Sequence, residues 1–341
     1  MEKPPACIGD LLRMLSYRHA FHAGNHADIL KHSMLMLILQ SLQKKDKPYT
    51  LIDTHAGAGI YTLDDERAVK TGEAAEGIVR LVRAAETAPA DVPEELLPYL
   101  KLCGEYEKQG KYPGSPEIMR NFLRPVAGAA KGGAKSVGEP RSSTASPAQD
   151  KLILLELHNT EIDVLRINMK RNADSSRIHI HHRDAYEAMS ALVPPEPKRG
   201  LLLMDPSYEV DSDYTNVMDS LREAHRRWTS GIICLWYPLL KRRQAETAEL
   251  KAALADCAAK TPSSFMTAEL LVDSEDIETG LYGSGMAVIN PPWHLDDSMR
   301  KTLPYLASVL AASQTVTSPS DKVCADASTS EPRWNIDIRA V

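Results

Sequence analysis

The chain has 341 residues, a formal net charge of −6 at pH 7, and 43% hydrophobic but only 6% aromatic residues. This length allows one large α/β domain with insertions, whose core must be mostly aliphatic. The acidic balance argues against non-specific polyanion binding by the whole surface, although one basic face can exist on an acidic molecule.

The cysteine pattern and the N-terminal sequence both bear on the cellular compartment of the protein. Five scattered cysteines without a CxxC pair favour free thiols over a disulfide framework or a zinc site. The opening "MEKPPACIGDLLRML" resembles neither a secretory signal nor an Arg-rich transit peptide. No apolar run reaches the roughly 20 residues that cross a bilayer. We expect a soluble cytoplasmic protein without a membrane partner, with an organelle as the alternative if the protein is eukaryotic.

The first predicted element is a helix in "GNHADILKHSMLMLILQSLQ". Asn25 is a suitable N-cap, Asp28 follows three residues later, and apolar residues recur at helical spacing. Histidines 19, 22, 26 and 32 cluster around its start, and two of them could share one helix face. Because no cysteine or HExxH motif accompanies them, we do not expect a metal site, and a lone histidine on a helix is usually structural.

Downstream, short apolar runs alternate with amphipathic segments. This alternation predicts an α/β fold with a mostly parallel, doubly wound sheet and helices on both faces. Seven strands are expected, at residues 50–55, 152–157, 177–182, 201–205, 231–237, 265–272 and 285–291.

Three stretches differ from this alternation. Residues 62–112 are too long for an ordinary strand-to-helix connection, and their apolar spacing predicts a small helical insertion. Residues 127–150, rich in Gly, Ala, Ser and Pro, predict a disordered surface insertion. Residues 313–341 predict a flexible C-terminal tail. The folded domain is therefore expected to span residues 14–312, behind an N-terminal extension of residues 1–13.

The first predicted strand ends in a glycine turn, "LIDTHAGAGIY". Gly57 and Gly59 are spaced to let the backbone approach a ligand above the strand. The dinucleotide fingerprint G-x-G-x-x-G is incomplete because residue 62 is Thr. A plain tight turn explains the glycines equally well.

Acidic residues follow three successive predicted strands. Asp53, Glu156 and Asp184 come at or just after the strand ends. Each alone fits a helix cap or a solvated acid, but open α/β sheets bind ligands at this edge, so together they favour a nucleoside-type cofactor. No phosphate-binding lysine motif accompanies them, which disfavours ATP.

The next strand ends in "MDPSYE", which suits chemistry on an aromatic amine. Such an amine is a poor nucleophile because the ring delocalises its lone pair. The Asp205 carboxylate and the Pro206 carbonyl can hold both amino hydrogens, and Tyr208 can stack on the base. The structural alternative is a turn in which Asp205 caps a helix, Pro206 stiffens the backbone and Tyr208 packs.

With these motifs the sequence resembles class I S-adenosylmethionine-dependent methyltransferases that act on amines, whose fourth-strand motif is [D/N]-P-P-[Y/F/W]. More specifically, it resembles the RlmJ family of large-subunit ribosomal RNA adenine-N6 methyltransferases over roughly residues 14–312. Besides the glycine turn, the resemblance rests on "MLSYRHAFHAGNHADILKH", "YPGSP", "ELH", "PKRG", "CLWYPLLKRRQ" and "GSGMAVINPPW".

The resemblance implies a Rossmann-like methyltransferase that moves a methyl group from S-adenosylmethionine to N6 of an adenine in 23S-type ribosomal RNA, without a metal. Asp205, Pro206 and Tyr208 would be catalytic, and Tyr17 would lie near the substrate base. The donor would contact His32, His55, Ser115, Glu156, Asp184, Ala185 and Asp205. The expected substrate is free or partly assembled ribosomal RNA, since the base must be unpaired or flipped, and a monomer is expected.

Two positions depart from the family pattern. Ser207 replaces the second proline and Ala185 replaces a glycine. Ser207 leaves both expected acceptors in place, and Ala185 still fits if only its backbone faces the adenine. The basic segments at 240–244 and 222–228 are candidates for phosphate contacts or solvated helix faces.

Other functions remain open at this point. The same motif serves DNA adenine and protein glutamine methylation, and a non-catalytic RNA-binding homologue would retain the fold. A nicotinamide-dependent oxidoreductase is disfavoured by the incomplete glycine fingerprint and the "DPSY" turn.

Overall fold

A computed structural model describes residues 19–63, 72–125, 149–170, 176–261, 263–277, 280–311 and 333–339. The predicted N-terminal extension and nearly all of the predicted disordered insertion lie outside these residues. The division of the chain into domain, insertions and tail stays a prediction.

The described residues form an eight-stranded sheet and a separate two-stranded one. Along the large sheet the order is β5-β4-β1-β6-β7-β9-β8-β10. The strands are β1 (Thr50–Asp53), β2 (Ile60–Thr62), β3 (Lys111–Pro113), β4 (Lys151–Glu156), β5 (Ile178–His182), β6 (Gly200–Met204), β7 (Ile232–Leu239), β8 (Phe265–Leu271), β9 (Gly283–Ile289) and β10 (Trp334–Arg339).

The first five strands in that order are parallel, and β9 pairs antiparallel with both β7 and β8. All seven predicted strands are present, and the mostly parallel α/β fold is confirmed. The carboxyl ends of β1, β4, β5, β6 and β7 therefore meet at one edge of the sheet.

The predicted number of strands in the large sheet was one too few, and the two-stranded sheet of β2 and β3 was not predicted. β10 pairs antiparallel with β8, with Trp334 opposite Leu270. It lies in residues that the sequence analysis assigned to the flexible tail. The segment "WNIDIR" alternates apolar and polar residues, and its Trp334 and Ile336 side chains pack against the core. This short period-two pattern was overlooked because it follows a low-complexity stretch.

Helices cover both faces of the large sheet. They are α1 (His26–Gln43), α2 (Arg80–Thr87), α3 (Leu97–Glu107), α4 (Ser115–Asn121), α5 (Asn159–Met169), α6 (Ala185–Leu192), α7 (Ser212–Arg227), α8 (Gln244–Ala259) and α9 (Leu295–Leu310). Helices α1, α5 and α9 share one buried cluster with Leu51, whereas α6, α7 and α8 share another with Ile52. Neighbouring residues of β1 thus face two cores, as expected for a sheet buried on both sides.

The start of α1 is fixed by a cap and by the insertion. Asn25 is the N-cap, as predicted, and its side chain accepts a hydrogen bond from Asp28 N at 3.0 Å. From the segment between β2 and β3, Ile78 N donates to Gly24 O at 2.8 Å. A Cβ at Gly77 would come within 2.1 Å of Gly24 O, so this approach requires glycine. The insertion, which contains α2 and α3, therefore holds the N-terminus of α1 in place.

Candidate active site

A cavity of about 570 Å³ opens at the carboxyl edge of the parallel strands. It collects nine residues that the sequence analysis singled out from distant parts of the chain: His32, His55, Ser115, Glu156, Asp184, Ala185, Asp205, Pro206 and Tyr208. Tyr17, the expected contact to the substrate base, lies outside the described residues. Placement in one cavity is what a shared site requires; the role of each residue remains a prediction.

Two acids on the β4 and β5 side are held by backbone amides. Glu156 accepts hydrogen bonds from Gly57 N and His158 N, both at 2.7 Å. Burial raises the pKa of Glu156, although these two amides oppose the shift. Asp184 caps α6 by accepting from Tyr186 N at 2.7 Å and Glu187 N at 3.2 Å. Both carboxylates are thereby fixed at the cavity wall.

The glycine turn is a conformational requirement as well as part of the cavity wall. Gly57 has φ +57°, and a Cβ there would lie 2.1 Å from the Tyr61 hydroxyl. Gly57 therefore has to be glycine, and it leaves its backbone facing the cavity. The tight-turn interpretation fits Gly57, whose backbone also lies against the cavity, whereas Gly59 is not part of the cavity wall; approach of a ligand to this turn stays a prediction.

Asp53 does not reach the rim with the other two strand-end acids. Its side chain is fully buried at the end of β1 and is not part of the cavity wall. Oδ1 accepts from His55 N at 3.2 Å, while Oδ2 has no hydrogen-bond partner in the described part of the chain. Burial is the largest cause that raises the pKa of Asp53 to about 6. The sequence pattern therefore predicted the correct sheet edge for Asp53 but did not predict that its side chain is buried outside the cavity wall.

Lys31 is the most important residue that the sequence analysis missed. It is 3% exposed, lies 2.7 Å from Asp28 Oδ1, and donates a short hydrogen bond to Asp205 Oδ2. Burial alone would lower the pKa of the lysine, but the carboxylates of Asp205 and Asp28 raise it above its ordinary value. The expected catalytic acid is thus held by a charged lysine on α1.

A signal for Lys31 was present in the sequence. It shares a helical stripe with Ala27 and Met34, which are both buried. A lysine on the apolar face of a helix requires a buried acid as a partner, because an isolated buried charge is costly.

The histidines near α1 make separate contacts rather than forming one site. His19 lies 2.9 Å from Asp28, and His22 lies 2.8 Å from Glu73. Burial lowers the pKa of His32 to about 3; its Nδ1 lies 2.6 Å from Tyr112 Oη, and its Nε2 has no hydrogen-bond partner in the described residues. Across those residues, no group of three or more His, Cys, Asp or Glu is arranged to hold a metal ion.

The turn after β6 presents an aromatic wall. Tyr208 has φ +54°, an uncommon conformation for a bulky residue. Its ring lies 4.7 Å from Tyr214 and 5.9 Å from Trp236, centroid to centroid, and its hydroxyl donates to Trp236 O at 3.0 Å. Tyr208 therefore packs, as in the structural alternative, and also lines the cavity.

The two basic segments differ in position. Arg242 and Arg243 line the cavity mouth. On α7, Arg226 and Arg227 pair with Glu223 and lie outside the cavity wall. The solvated-face interpretation fits the α7 segment, whereas the other segment can reach a bound substrate.

Among the described residues, no helix combines the length and the apolar character that crossing a membrane requires.

Comparisons with known proteins give a consistent assignment. The sequence model of a family described as "Ribosomal RNA large subunit methyltransferase D, RlmJ" matches residues 46–132 and 133–320. A protein named "Ribosomal RNA large subunit methyltransferase J" from Escherichia coli K12 is 39% identical over 305 residues, which is 89% of this chain and 96% of that protein. One with the same name from Haemophilus influenzae is 36% identical, over 87% of this chain and 94% of the relative.

A solved structure supports the fold over the same length. The crystal structure of LPL1258 from Legionella pneumophila superposes with a TM-score of 0.69 at 27% identity, covering 94% of this chain and 98% of that one.

Proposed function

The chain belongs to the RlmJ family of ribosomal RNA large subunit methyltransferases, and on that premise we propose that it moves a methyl group from S-adenosylmethionine to N6 of an adenine in large-subunit ribosomal RNA. The observation that carries this proposal is the Lys31–Asp205 pair in a cavity that also presents the two fixed acids of β4 and β5.

The cavity fits the methyl donor in size and chemistry. Its volume of about 570 Å³ is ordinary for a cofactor-sized ligand. The backbone at Gly57, where a side chain would collide with the Tyr61 hydroxyl, forms part of the cavity wall. The Nε2 atom of His32, on the same wall, has no hydrogen-bond partner among the described residues. The residues that would hold the donor are His32, His55, Ser115, Glu156, Asp184, Ala185 and Asp205.

On the acceptor side, Asp205 and Pro206 would orient the amine. Lys31 occupies Asp205 Oδ2, while Oδ1 has no hydrogen-bond partner in the described part of the chain. The Pro206 carbonyl and Oδ1 would accept the two N6 hydrogens, which turns the nitrogen lone pair away from the ring and toward the methyl group. Tyr208 would stack on the adenine.

The chemical step then requires alignment more than acid–base power. S-adenosylmethionine supplies an electrophilic methyl group on a sulfonium when bound. An N6 amine that accepts the methyl group would become positively charged and would have to lose one of its two protons. Asp205 Oδ1 would accept that proton, and Lys31 would keep the carboxylate in place throughout. These steps involve no metal.

Neither departure from the family pattern removes a required group. Ala185 is 6% exposed and lines the cavity, where its small side chain leaves the backbone accessible. Ser207 also lines the cavity, and it leaves the Asp205 carboxylate and the Pro206 carbonyl where the chemistry needs them. A slower rate is expected from the looser turn, without loss of activity.

The finer partner assignments are part of this proposal. A target base in a duplex cannot enter the cavity unless it is flipped, so free or partly assembled ribosomal RNA is the expected substrate. A cytoplasmic monomer is expected.

Product analysis tests the proposed reaction. Purified protein is incubated with S-adenosylmethionine and protein-free large-subunit ribosomal RNA, and the digested RNA is analysed by mass. N6-methyladenosine is the expected new nucleoside. Transfer to DNA or to a protein glutamine instead would replace the substrate class, and donor binding without transfer to any of the three would indicate a non-catalytic homologue.

A further inference from the structure

Arginines at the cavity mouth differ in how they are paired. Arg243 hydrogen-bonds Asp211 and lies 2.7 Å from Glu246, so its charge is already matched within the protein. Arg242 is exposed and, across the described residues, makes neither an ion pair nor a side-chain hydrogen bond. Arg242 therefore carries a guanidinium that is available to a ligand.

The backbone that presents Arg242 is anchored on both sides. It is the middle residue of a 3₁₀ helix, Lys241–Arg243, that follows β7. Lys241 Nζ donates to Asp276 O at 3.2 Å on one side, and Arg243 is held by its two acids on the other. Only the middle side chain is left to reach over the cavity.

Arg242 lies on the acceptor side of the cavity. It follows β7, which pairs in parallel with β6, the strand that ends before Asp205. Arg183, which also lines the cavity and has no ion pair among the described residues, follows β5 next to Asp184, on the side assigned to the donor. β5 and β7 are separated by four strand spacings, or about 19 Å. Arg242 therefore follows the strand next to the one that ends before Asp205, whereas Arg183 follows a strand three spacings away.

The acidic protein needs a local cation to bind a polyanion. With a net charge of −6, long-range electrostatics oppose RNA association, so phosphate contacts must come from specific basic groups. A guanidinium matches a phosphate in bidentate geometry and stays charged at all working pH values.

We propose that Arg242 binds a backbone phosphate next to the target adenosine, so that the RNA strand crosses the cavity mouth on the β7 side. This inference rests on the proposed function and names the partner contact of the same site.

The test compares Arg242→Ala with Arg226→Ala. Arg226 is an exposed arginine of the other basic segment, paired with Glu223 near the C-terminus of α7. We expect Arg242→Ala to raise KM for ribosomal RNA about tenfold while kcat and donor affinity stay unchanged. The slope of log K for RNA binding against log salt should fall by about 0.7 to 0.9. Arg242→Lys should restore the slope, and Arg226→Ala should change neither quantity.

Two results would overturn the proposal: an unchanged KM and salt slope in Arg242→Ala, or equal losses in both alanine variants, which would indicate general electrostatics. Failure of the proposed function is separate, because in that case the wild type itself forms no N6-methyladenosine, whatever the RNA affinity of the variants.

Discussion

Two turns in this protein carry nearly the same motif at opposite edges of the sheet. Residues 205–208 read "DPSY" and residues 290–293 read "NPPW". The second matches the [D/N]-P-P-[Y/F/W] pattern better, yet only the first lines the cavity. β9 runs antiparallel to β7 and pairs Ile289 with Ile233, so its end lies where β7 begins. Strand direction, rather than the letters of the motif, determines which turn lines the cavity.

The surroundings of the two turns differ as well. Asp205 is held by Lys31 and faces a cavity, whereas the Asn290 amide donates to Thr229 O and Gly231 O, both at 2.8 Å. Trp293 is 84% exposed. Because the Asn290 amide is anchored to two backbone carbonyls and this turn lies outside the cavity wall, we assign it a structural role.

Replacing Lys31 should have the largest effect. Lys31→Met removes the cation that fixes Asp205 and also breaks the ion pair with Asp28, so we expect kcat to fall about 100-fold and the free energy of unfolding to drop by about 3 kcal/mol. Because the pKa of Lys31 is raised, its charge persists past its ordinary range. The defect should therefore be equal at about pH 7 and about pH 9 in single-turnover assays. Wild-type kcat from the folded variant would refute a role for Lys31 at the acceptor site.

Asp53 lies at the same sheet edge as Asp205 but is fully buried, so its titration tests how burial changes the pKa of an acid at a strand end. Burial raises its pKa from 3.8 to about 6, so the unfolded chain loses this proton first and folding stability falls as pH rises from about 4 to about 6. Asp53→Asn removes this penalty. Relative to wild type, its free energy of unfolding should rise by about 2 to 3 kcal/mol between pH 4 and pH 7 in urea titrations. A difference that does not vary with pH would show that Asp53 is not the titrating group.

Replacing Tyr208 should lower activity less than replacing Lys31. Two substitutions distinguish the contribution of its ring from that of its hydroxyl. Tyr208→Ala removes the ring that lines the cavity, and we expect kcat/KM for RNA to fall about tenfold because the base loses a stacking partner. Tyr208→Phe keeps the ring and loses only the hydrogen bond to Trp236 O. It should stay within about threefold of wild type. Equal losses in the two variants would assign the effect to the hydroxyl instead.

The smallest effect on activity is expected at the other turn. Asn290→Ala loses two hydrogen bonds at a residue with φ +57°, so the free energy of unfolding should fall by about 1 to 2 kcal/mol. Activity per folded molecule should not change. Trp293→Ala, which alters an exposed ring, serves as the control for that turn. A large loss of kcat in either variant would place catalytic groups at both edges of the sheet.

Much of the fold could be predicted because its signals are local. Seven strands are apolar runs bounded by turn residues, and Asn25 caps α1 as expected. The direction of β9 is a tertiary property, so the sequence alone did not reveal that "NPPW" lies away from the site. β10 was missed because its alternating pattern is short and follows a low-complexity stretch.

Site residues that follow parallel strands could be predicted from the sequence. Residues whose position depends on how deeply they are buried could not. Glu156, Asp184 and Asp205 reach the cavity because carboxyl ends of parallel strands share an edge. Asp53 shares that edge but is covered, and no sequence rule gives its exposure. Lys31 lies on α1, which precedes β1 and its glycine turn in the chain. Its partner Asp205 is 174 residues further along the sequence, so no local pattern connects them.

The role of Asp205 is tested most directly by comparing N6-methyladenosine formation by wild type and Asp205→Ala on protein-free large-subunit ribosomal RNA, with thermal melts confirming that both are folded. We expect the variant to bind RNA but to transfer methyl groups at least about 1000-fold more slowly. A folded Asp205→Ala protein that methylates adenine at a rate near that of wild type would contradict the assignment of the amine site to the turn after β6.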